Sequence, residues 1–284
     1  MNPGGRDSSC GSAGVSNRAT TSHPVLPDVT LVAVTSVAIN ATIDALHASM
    51  RQASFAQVLL LTDHAPAGGT DPSIHWRRIE PIGSREDYSR FMLQRLHRHV
   101  STSHALCVQW DGFVLNGAAW EAEFLKYDYL GAVWPQFTDG RNVGNGGFSL
   151  RSRRLLEATE GLPFDGSVPE DVAIGRLYRT TLERQGIRFA PEQVARRFAY
   201  ERTPVAGGEF GFHGVFNLVR HLTAADALAL LRSLEPTLLA PNERLELLRW
   251  AAVHGYGRIA LEMIARMRQP RPPSRLKPDA WLTS

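Results

Sequence analysis

A chain of 284 residues, 43% hydrophobic and 21% charged, can bury a substantial core, and its composition is that of a globular protein rather than a disordered or fibrous one. The formal charge is only +3. Of 31 basic residues just Lys126 and Lys277 are lysine, and the arginines are dispersed rather than gathered into a stripe, which speaks against specific nucleic-acid binding. The two cysteines, Cys10 in a polar stretch and Cys107 in an apolar run, make no disulfide framework. No apolar run approaches the ~20 residues that span a bilayer, and the start lacks the apolar segment of a signal peptide, so a cytoplasmic location is expected.

Residues 1–27 are rich in Gly, Ser and Asn and end in the His23-Pro24 and Leu26-Pro27 breaks, which reads as a disordered leader. Residues 29–35 then predict a strand, 41–52 a helix and 57–62 a second strand. That order and spacing argue for a right-handed βαβ unit in a parallel sheet. Thr35 and Ser36 end the first strand and Asp63 follows the second, on the edge where α/β sheets bind nucleotides. Asp63 reads equally as a loop cap. Residues 74–79 suggest another strand. Ser84, with Asp87 three residues on, opens a helix through Tyr88, Phe91, Leu93 and Leu96 to Val100.

Residues 104–108 form a short apolar run of strand character, so Gln109-Trp110-Asp111-Gly112 falls at a strand's carboxyl end. The hard oxygens of Asp111 suit Mg²⁺ or Mn²⁺ bound with substrate phosphates, and an Asp-Gly turn is the plain alternative. Trp120, Phe124 and Leu125 suggest a short amphipathic helix, residues 127–133 a strand, and Asp139-Gly140-Arg141 a loop over the site. Trp134 can stack on a sugar ring or fill the core. Gly144, Gly146 and Gly147 around Asn145 would allow positive φ and close approach of a ligand, or else form a bare bulge, before residues 148–151 resume a strand. Pro169-Glu170-Asp171 opens a helix through Val172, Ile174, Leu177, Tyr178 and Leu182 that stops at Gly186, and residues 187–189 suggest a short strand. His213, between Phe212 and Gly214, can complete a metal site, although a lone histidine is usually structural.

Beyond residue 222 the composition changes to helix formers. Thr223 with Asp226 caps a helix over residues 224–234, Asn242 caps one over 243–254, and Gly255-Tyr256-Gly257 precedes a third over 258–267. The expected organisation is a leader (1–27), an α/β domain (28–222), a helical extension (223–268) that packs on the domain or binds a protein partner, and a proline-rich tail (269–284).

Four elements in this order, residues 110–113 (Trp-Asp-Gly-Phe), 127–131 (Tyr-Asp-Tyr-Leu-Gly), 144–151 (Gly-Asn-Gly-Gly-Phe-Ser-Leu-Arg) and 169–171 (Pro-Glu-Asp), resemble the nucleotide-sugar-dependent glycosyltransferases of the GT-A fold. The resemblance is closest to an uncharacterised bacterial GT-A-like domain family carrying the same four elements, and it covers roughly residues 29–215. It implies a mixed, mainly parallel sheet flanked by helices, and transfer of a sugar from a nucleoside-diphosphate sugar, foremost a UDP-sugar, to an unknown acceptor hydroxyl. It further implies Asp111 and His213 as ligands of Mn²⁺ or Mg²⁺, and Asp171 as general base with Glu170 as fallback. Thr35, Ser36, Asp63, Gln109, Trp110, Gly146 and Gly147 would surround the donor, with Trp134 and Asn145 at the sugar or acceptor. One departure matters. Many GT-A enzymes carry Asp-X-Asp where this chain has Gln109-Trp110-Asp111, and an amide brings no charge, which weakens the case for a strict cation requirement. Two rival readings use the same residues: a metal-dependent phosphohydrolase or nucleotidyltransferase, and a non-catalytic module that binds nucleotide sugars.

Overall fold

A computed structural model describes residues 23–69, 71–235 and 238–268. Residues 1–22 of the expected leader and the whole of the expected tail lie outside the described residues. Six strands form one sheet: β1 (Val25–Val34), β2 (Ser54–Thr62), β3 (His75–Arg78), β4 (His104–Val108), β5 (Tyr129–Leu130) and β6 (Phe148–Ser152). Their order is β3-β2-β1-β4-β6-β5. The first four are mutually parallel, β6 runs antiparallel to β4, and β5 runs antiparallel to β6, so the sheet is mixed and mainly parallel.

β1 begins earlier than its sequence pattern suggests. Val25 already pairs with Ser54, and Pro27, which has no N–H to give, sits where the register slips between Leu26 and Thr30. Leu26-Pro27 is thus a bulge inside a strand rather than a break. Helices cover both faces, as a strand buried on either side requires. Leu31, Ala33, Leu60 and Leu106 point into a core shared with Leu46 of α1 (Ile39–Met50) and Phe198 of α6 (Glu192–Phe198). Their neighbours Val32, Val34, Leu61 and Cys107 point the other way, against Phe91 and Met92 of α2 (Arg85–Gln94) and Leu156 of α3 (Arg153–Glu160). Ser84 caps α2 as expected, its Oγ accepting the Asp87 N–H at 3.0 Å. The helix stops early because Arg95, at φ −128°, leaves the helical region, and only a 3₁₀ turn, Leu96–Arg98, follows.

The helix expected from Glu170 to Gly186 is interrupted. α4 (Glu170–Val172) passes through a π turn, Ala173–Leu177, in which the Tyr178 N–H donates to Ala173 O at 2.8 Å, before α5 (Arg179–Arg184). Two strands of two residues, β7 (Ala199–Tyr200) and β8 (Gly211–Phe212), pair in parallel beside the main sheet. An aromatic cluster fastens them there: Phe198 lies 5.2 Å from Phe148, 5.3 Å from Phe124 and 5.8 Å from Phe210, ring centre to ring centre. The suggested strand at 187–189 is a single bridge from Phe189 to Tyr129.

After the short α7 (Val215–Leu218) come α8 (Ala224–Ser233), α9 (Pro241–Val253) and α10 (Gly257–Arg268). Thr223 caps α8 as expected. α9 starts earlier than Asn242 suggests, since Pro241 at its first turn has φ preset for a helix, and Glu243 Oε2 accepts the Ala240 N–H at 2.7 Å. Leu231, Leu247, Ala251 and Met263 of these helices pack with Ala41 of α1, with Val215, and with the partly buried Trp110. The extension therefore lies against the domain beside Asp111. Among the described residues no helix is long and apolar enough to cross a membrane.

Candidate functional site

The parallel strands β2, β1 and β4 end at one edge of the sheet, and antiparallel β6 begins there, with Phe148 opposite Val108. Asp63, Thr35-Ser36, Gln109-Trp110-Asp111 and Asn145-Gly146-Gly147 consequently leave the sheet along the same edge. β8 delivers His213 to it. The His213 N–H donates to Tyr200 O at 3.1 Å, the Gly214 N–H to Asp111 O at 3.0 Å, and Asn217 Nδ2 to His213 O at 2.8 Å.

The imidazole is approached from both ends. Nε2 lies 3.3 Å from Asp111 Oδ1 and 3.3 Å from Gln109 Oε1; Nδ1 lies 3.3 Å from Glu201 Oε1 and 3.1 Å from Asn145 Nδ2. Asp111 is buried, and no hydrogen-bond donor is aligned on its Oδ1. Burial alone would push the His213 pKa down, but the carboxylates of Asp111 and Glu201 outweigh it and hold the imidazole well above its ordinary value. Burial would likewise raise Glu201, yet His213 beside it brings its carboxyl below the usual range.

Asn145 adopts a left-handed conformation, φ 74°. Its Oδ1 accepts the N–H of Gly147 at 3.0 Å and of Phe148 at 3.1 Å, and this compact turn aims the Gly146 N–H at Asp171 Oδ2, 3.0 Å away. Asp171 Oδ1 accepts from Val172 N–H at 2.8 Å. Burial, followed by the charge of Glu170, raises the Asp171 pKa to about 7. Glu170 itself is committed elsewhere: its Oε1 takes a hydrogen bond from Nη2 of the fully buried Arg151 at 3.0 Å.

The glycines do not serve the expected purpose. None of Gly144, Gly146 and Gly147 has positive φ; that conformation falls on Asn145. What they give up is side-chain volume, and the protein itself fills it. A Cβ on Gly147 would meet His213 Nε2, one on Gly146 would meet Glu170 Oε1, and one on Gly144 would meet the Trp134 ring, each at 2.0 Å. Trp134 is buried there, and 5.7 Å from Phe137, so its faces are closed to a sugar by core packing.

Seven of the predicted residues thus meet in one network: Gln109, Asp111, Asn145, Gly146, Gly147, Asp171 and His213. Trp110 instead packs between the helical extension and the cluster around Phe212. Thr35, Ser36 and Asp63 sit further along the edge. Ser36 Oγ accepts the Ile82 N–H at 2.8 Å, and Asp63, despite partial burial, is held below the usual carboxylate range by Ser36 and His64. Val37 beside them is 46% exposed, so this stretch of edge is open. Glu201 and Glu243 escaped the sequence reading. The only available signal for Glu201 was an acid directly after a short apolar stretch, Ala199-Tyr200. Glu243 gave none, since it reaches the site through the packing of α9. Burial and the charge of Asp111 raise its pKa to about 7. A separate cleft of about 530 Å³, lined by Arg78, Phe91, Arg95, Arg98 and Glu160 among others, shares no residue with this network.

Among the described residues no three His, Cys, Asp or Glu side chains are grouped to hold a metal by themselves. Asp111 and His213 together offer two ligand atoms 3.3 Å apart, and Oδ1, on which no hydrogen-bond donor is aligned and whose near neighbour is the imidazole, is a buried acceptor that a cation could take over.

A family model described as "Protein of unknown function (DUF5672)" matches residues 74–213, a span from β3 to His213. No curated protein matches the sequence. Among solved structures the chain is similar to the apo form of the glycosyltransferase GlyE of Streptococcus pneumoniae TIGR4, at 14% identity and TM-score 0.39, over 66% of this chain and 54% of that one. It is also similar to an active-site mutant of LgtC, at 12% identity and TM-score 0.42, over 77% of this chain and 100% of the other. A third similarity is to the galactosyltransferase LgtC in complex with donor and acceptor sugar analogues, at 10% identity and TM-score 0.39, over 85% and 98%. The chain spans about half the length of the GlyE chain, 54%, and almost all of LgtC.

Proposed function

We propose that this chain is a glycosyltransferase that moves a sugar from a nucleoside-diphosphate sugar, foremost a UDP-sugar, to an acceptor hydroxyl. The observation that carries the reading is Asp111 Oδ1, a buried carboxylate oxygen with no aligned donor, 3.3 Å from His213 Nε2, at the carboxyl edge of a parallel sheet. With no cation present the imidazole is the charge that faces this oxygen, and a carboxylate beside an imidazole nitrogen suits a divalent cation. Asp111 and His213 would hold Mn²⁺ or Mg²⁺, which when bound supplies charge neutralisation for the departing nucleoside diphosphate. Because Gln109 stands where many GT-A enzymes carry a second carboxylate, a bound cation would draw its remaining ligands from diphosphate oxygens and water.

Asp171 takes the acceptor's proton. Backbone N–H groups of Gly146 and Val172 fix its two oxygens, and each oxygen keeps a lone pair to spare. A pKa of about 7 matches a general base to neutral solution: enough of it is ionised, and it holds a proton more readily than an ordinary aspartate. Glu170, occupied by Arg151, is left out of that role. The Asn145-Gly146 turn ties the two functions together, since one residue contacts His213 and the next holds Asp171. Thr35, Ser36 and Asp63 offer polar groups to the nucleoside on the open part of the edge.

The test is to incubate the protein with a panel of nucleotide sugars and Mn²⁺ and to identify what is released. Free nucleoside diphosphate that disappears in Asp111→Asn and Asp171→Asn supports the reading. Inorganic phosphate or pyrophosphate as product would instead assign phosphoanhydride chemistry, and calorimetric donor binding without turnover across acceptors would assign a binding module.

A further inference from the structure

We infer that the cleft of about 530 Å³ between β3 and the C-terminal end of α2 is a binding site for a phosphorylated small molecule, separate from the network around His213. Cations converge on it from three elements. Arg78 comes from the end of β3, Arg95 from the residue that closes α2, and Arg98 and His99 from the 3₁₀ turn and its cap. Among the described residues Arg78 and Arg95 make no ion pair, so their guanidinium groups have no protein partner. Glu160 does not answer them, since its Oε1 accepts from Arg98 Nη2 at 2.8 Å and its Oε2 lies 3.4 Å from His97 Nε2. Of the lining carboxylates that leaves Glu80, against two unpaired arginines.

His99 registers the imbalance. Its ring packs on Phe91, centroids 5.6 Å apart, and burial, followed by the charges of Arg77, His97 and Arg98, holds its pKa below the ordinary value. Like charges gathered around a hollow repel one another, and a bound anion removes that cost. Arginines that only guard an edge strand against pairing project into water. Here they border a hollow lined by the buried Ile79 and Phe91. Planar guanidinium groups match phosphate oxygens in pairs, and Arg98, joined to Glu160 through Nη2, keeps further N–H groups to offer. A phosphate monoester carries about two charges on three acceptor oxygens, so it can meet Arg78, Arg95 and Arg98 together, which a single carboxylate cannot. The hollow lies within the range of small-molecule sites, about 300–1,000 Å³, and exceeds what a bare phosphate fills, so the ligand carries an organic part as well.

The experiment is a calorimetric titration of the intact chain with phenyl phosphate, without divalent cations and at an ionic strength held constant with chloride, beside the proton resonance of the imidazole that His99→Gln removes. Phenyl phosphate is expected to bind and to move that resonance. Arg78→Gln/Arg95→Gln should bind it at least about 10-fold more weakly at an unchanged melting temperature, because both arginines are exposed and unpaired, while Asp111→Asn should bind it as the parent does. A parent that responds no more to phenyl phosphate than to chloride overturns the inference, as does unchanged affinity in the double variant. Binding that disappears in Asp111→Asn overturns it too, by moving the anion to the carboxyl edge of the sheet. Benzoate or a tetraglutamate peptide that binds more tightly than phenyl phosphate overturns the choice of ligand, in favour of a carboxylate or of a protein docked along β3. None of these results bears on the glycosyl-transfer reading, which uses other residues.

Discussion

Gly147 and His213 fit each other as a missing side chain and the ring that takes its place: a Cβ on Gly147 would lie 2.0 Å from Nε2 and 2.3 Å from Cδ2. The ring has little freedom to retreat, because Asn145 and Glu201 hold its far end. Gly147→Ala is therefore expected to weaken binding of a Mn²⁺–nucleoside diphosphate mixture by at least about 10-fold, and to cost about 1–3 kcal/mol of stability from the overlap itself. Calorimetric titration beside a thermal melt checks both, and parental affinity would mean that the ring moves aside without consequence.

One residue earlier the same kind of contact governs stability instead. A Cβ on Gly146 would lie 2.0 Å from Glu170 Oε1, which is paired with buried Arg151. Breaking a buried pair strands a charge away from water, at a cost of about 3–5 kcal/mol. Gly146→Ala and Glu170→Gln should each lose stability of that order in urea titrations. A variant of Gly146 that stays fully stable yet loses donor binding would restore the idea that this glycine makes room for a ligand.

Asp171→Asn should lower kcat by about 10²–10⁴-fold with little change in donor affinity. It should also change how stability depends on pH. Asp171 titrates near 3.8 in an ordinary setting and at about 7 in the folded protein, so the fold holds its proton more tightly than the unfolded chain does. Its stabilising contribution is complete below pH 3.8 and is lost as pH rises towards 7. The Asn variant escapes that loss. Its melting temperature, relative to the parent, should climb as pH rises from 3.8 to about 7 and level off above that; a flat difference would mean that Asp171 is an ordinary exposed carboxylate.

Glu243 carries a second raised carboxyl, from 4.5 to about 7, with the same sign: its contribution is lost over that interval as pH rises. Glu243→Gln keeps an oxygen for the Ala240 N–H and should melt higher than the parent at about pH 8 but not at about pH 5. Because Asp111 is one source of the shift, the gain should shrink in an Asp111→Asn background. Additive effects in this double-mutant cycle would separate α9 from the site.

Much of this was legible in the sequence where the information is local. β4 at His104–Val108, the Ser84 and Thr223 caps and the parallel β1-α1-β2 unit follow from side-chain period and cap chemistry. The π turn did not, because its setting is tertiary: a Cβ on Gly175 there would lie 3.1 Å from the Trp134 ring. In the site, Asp111, Asn145, Asp171 and His213 stood out by residue type and order, while Glu201 and Glu243 are brought in by β7 and by α9. The glycines were recognisable as special, but the atoms that require them, on Glu170, His213 and Trp134, are distant in sequence or on another element.

The aromatic cluster of Phe124, Phe148, Phe198 and Phe210 has a bearing on how the site comes to exist at all. Gln109 and His213 meet although 104 residues separate them. Bringing the ends of so long a loop together costs entropy, and the few polar contacts at 3.1–3.3 Å around the imidazole are too weak to offset it. The apolar surface of the four rings offsets it instead, docking Ala199–Tyr200 and Gly211–Phe212 before any ligand is present. Division of labour follows: rings that touch no substrate decide whether the site assembles, and the polar groups are left free to vary with what it handles. Phe198→Leu, remote from every polar atom discussed, is therefore a substitution that should detach histidine from aspartate while the main sheet persists.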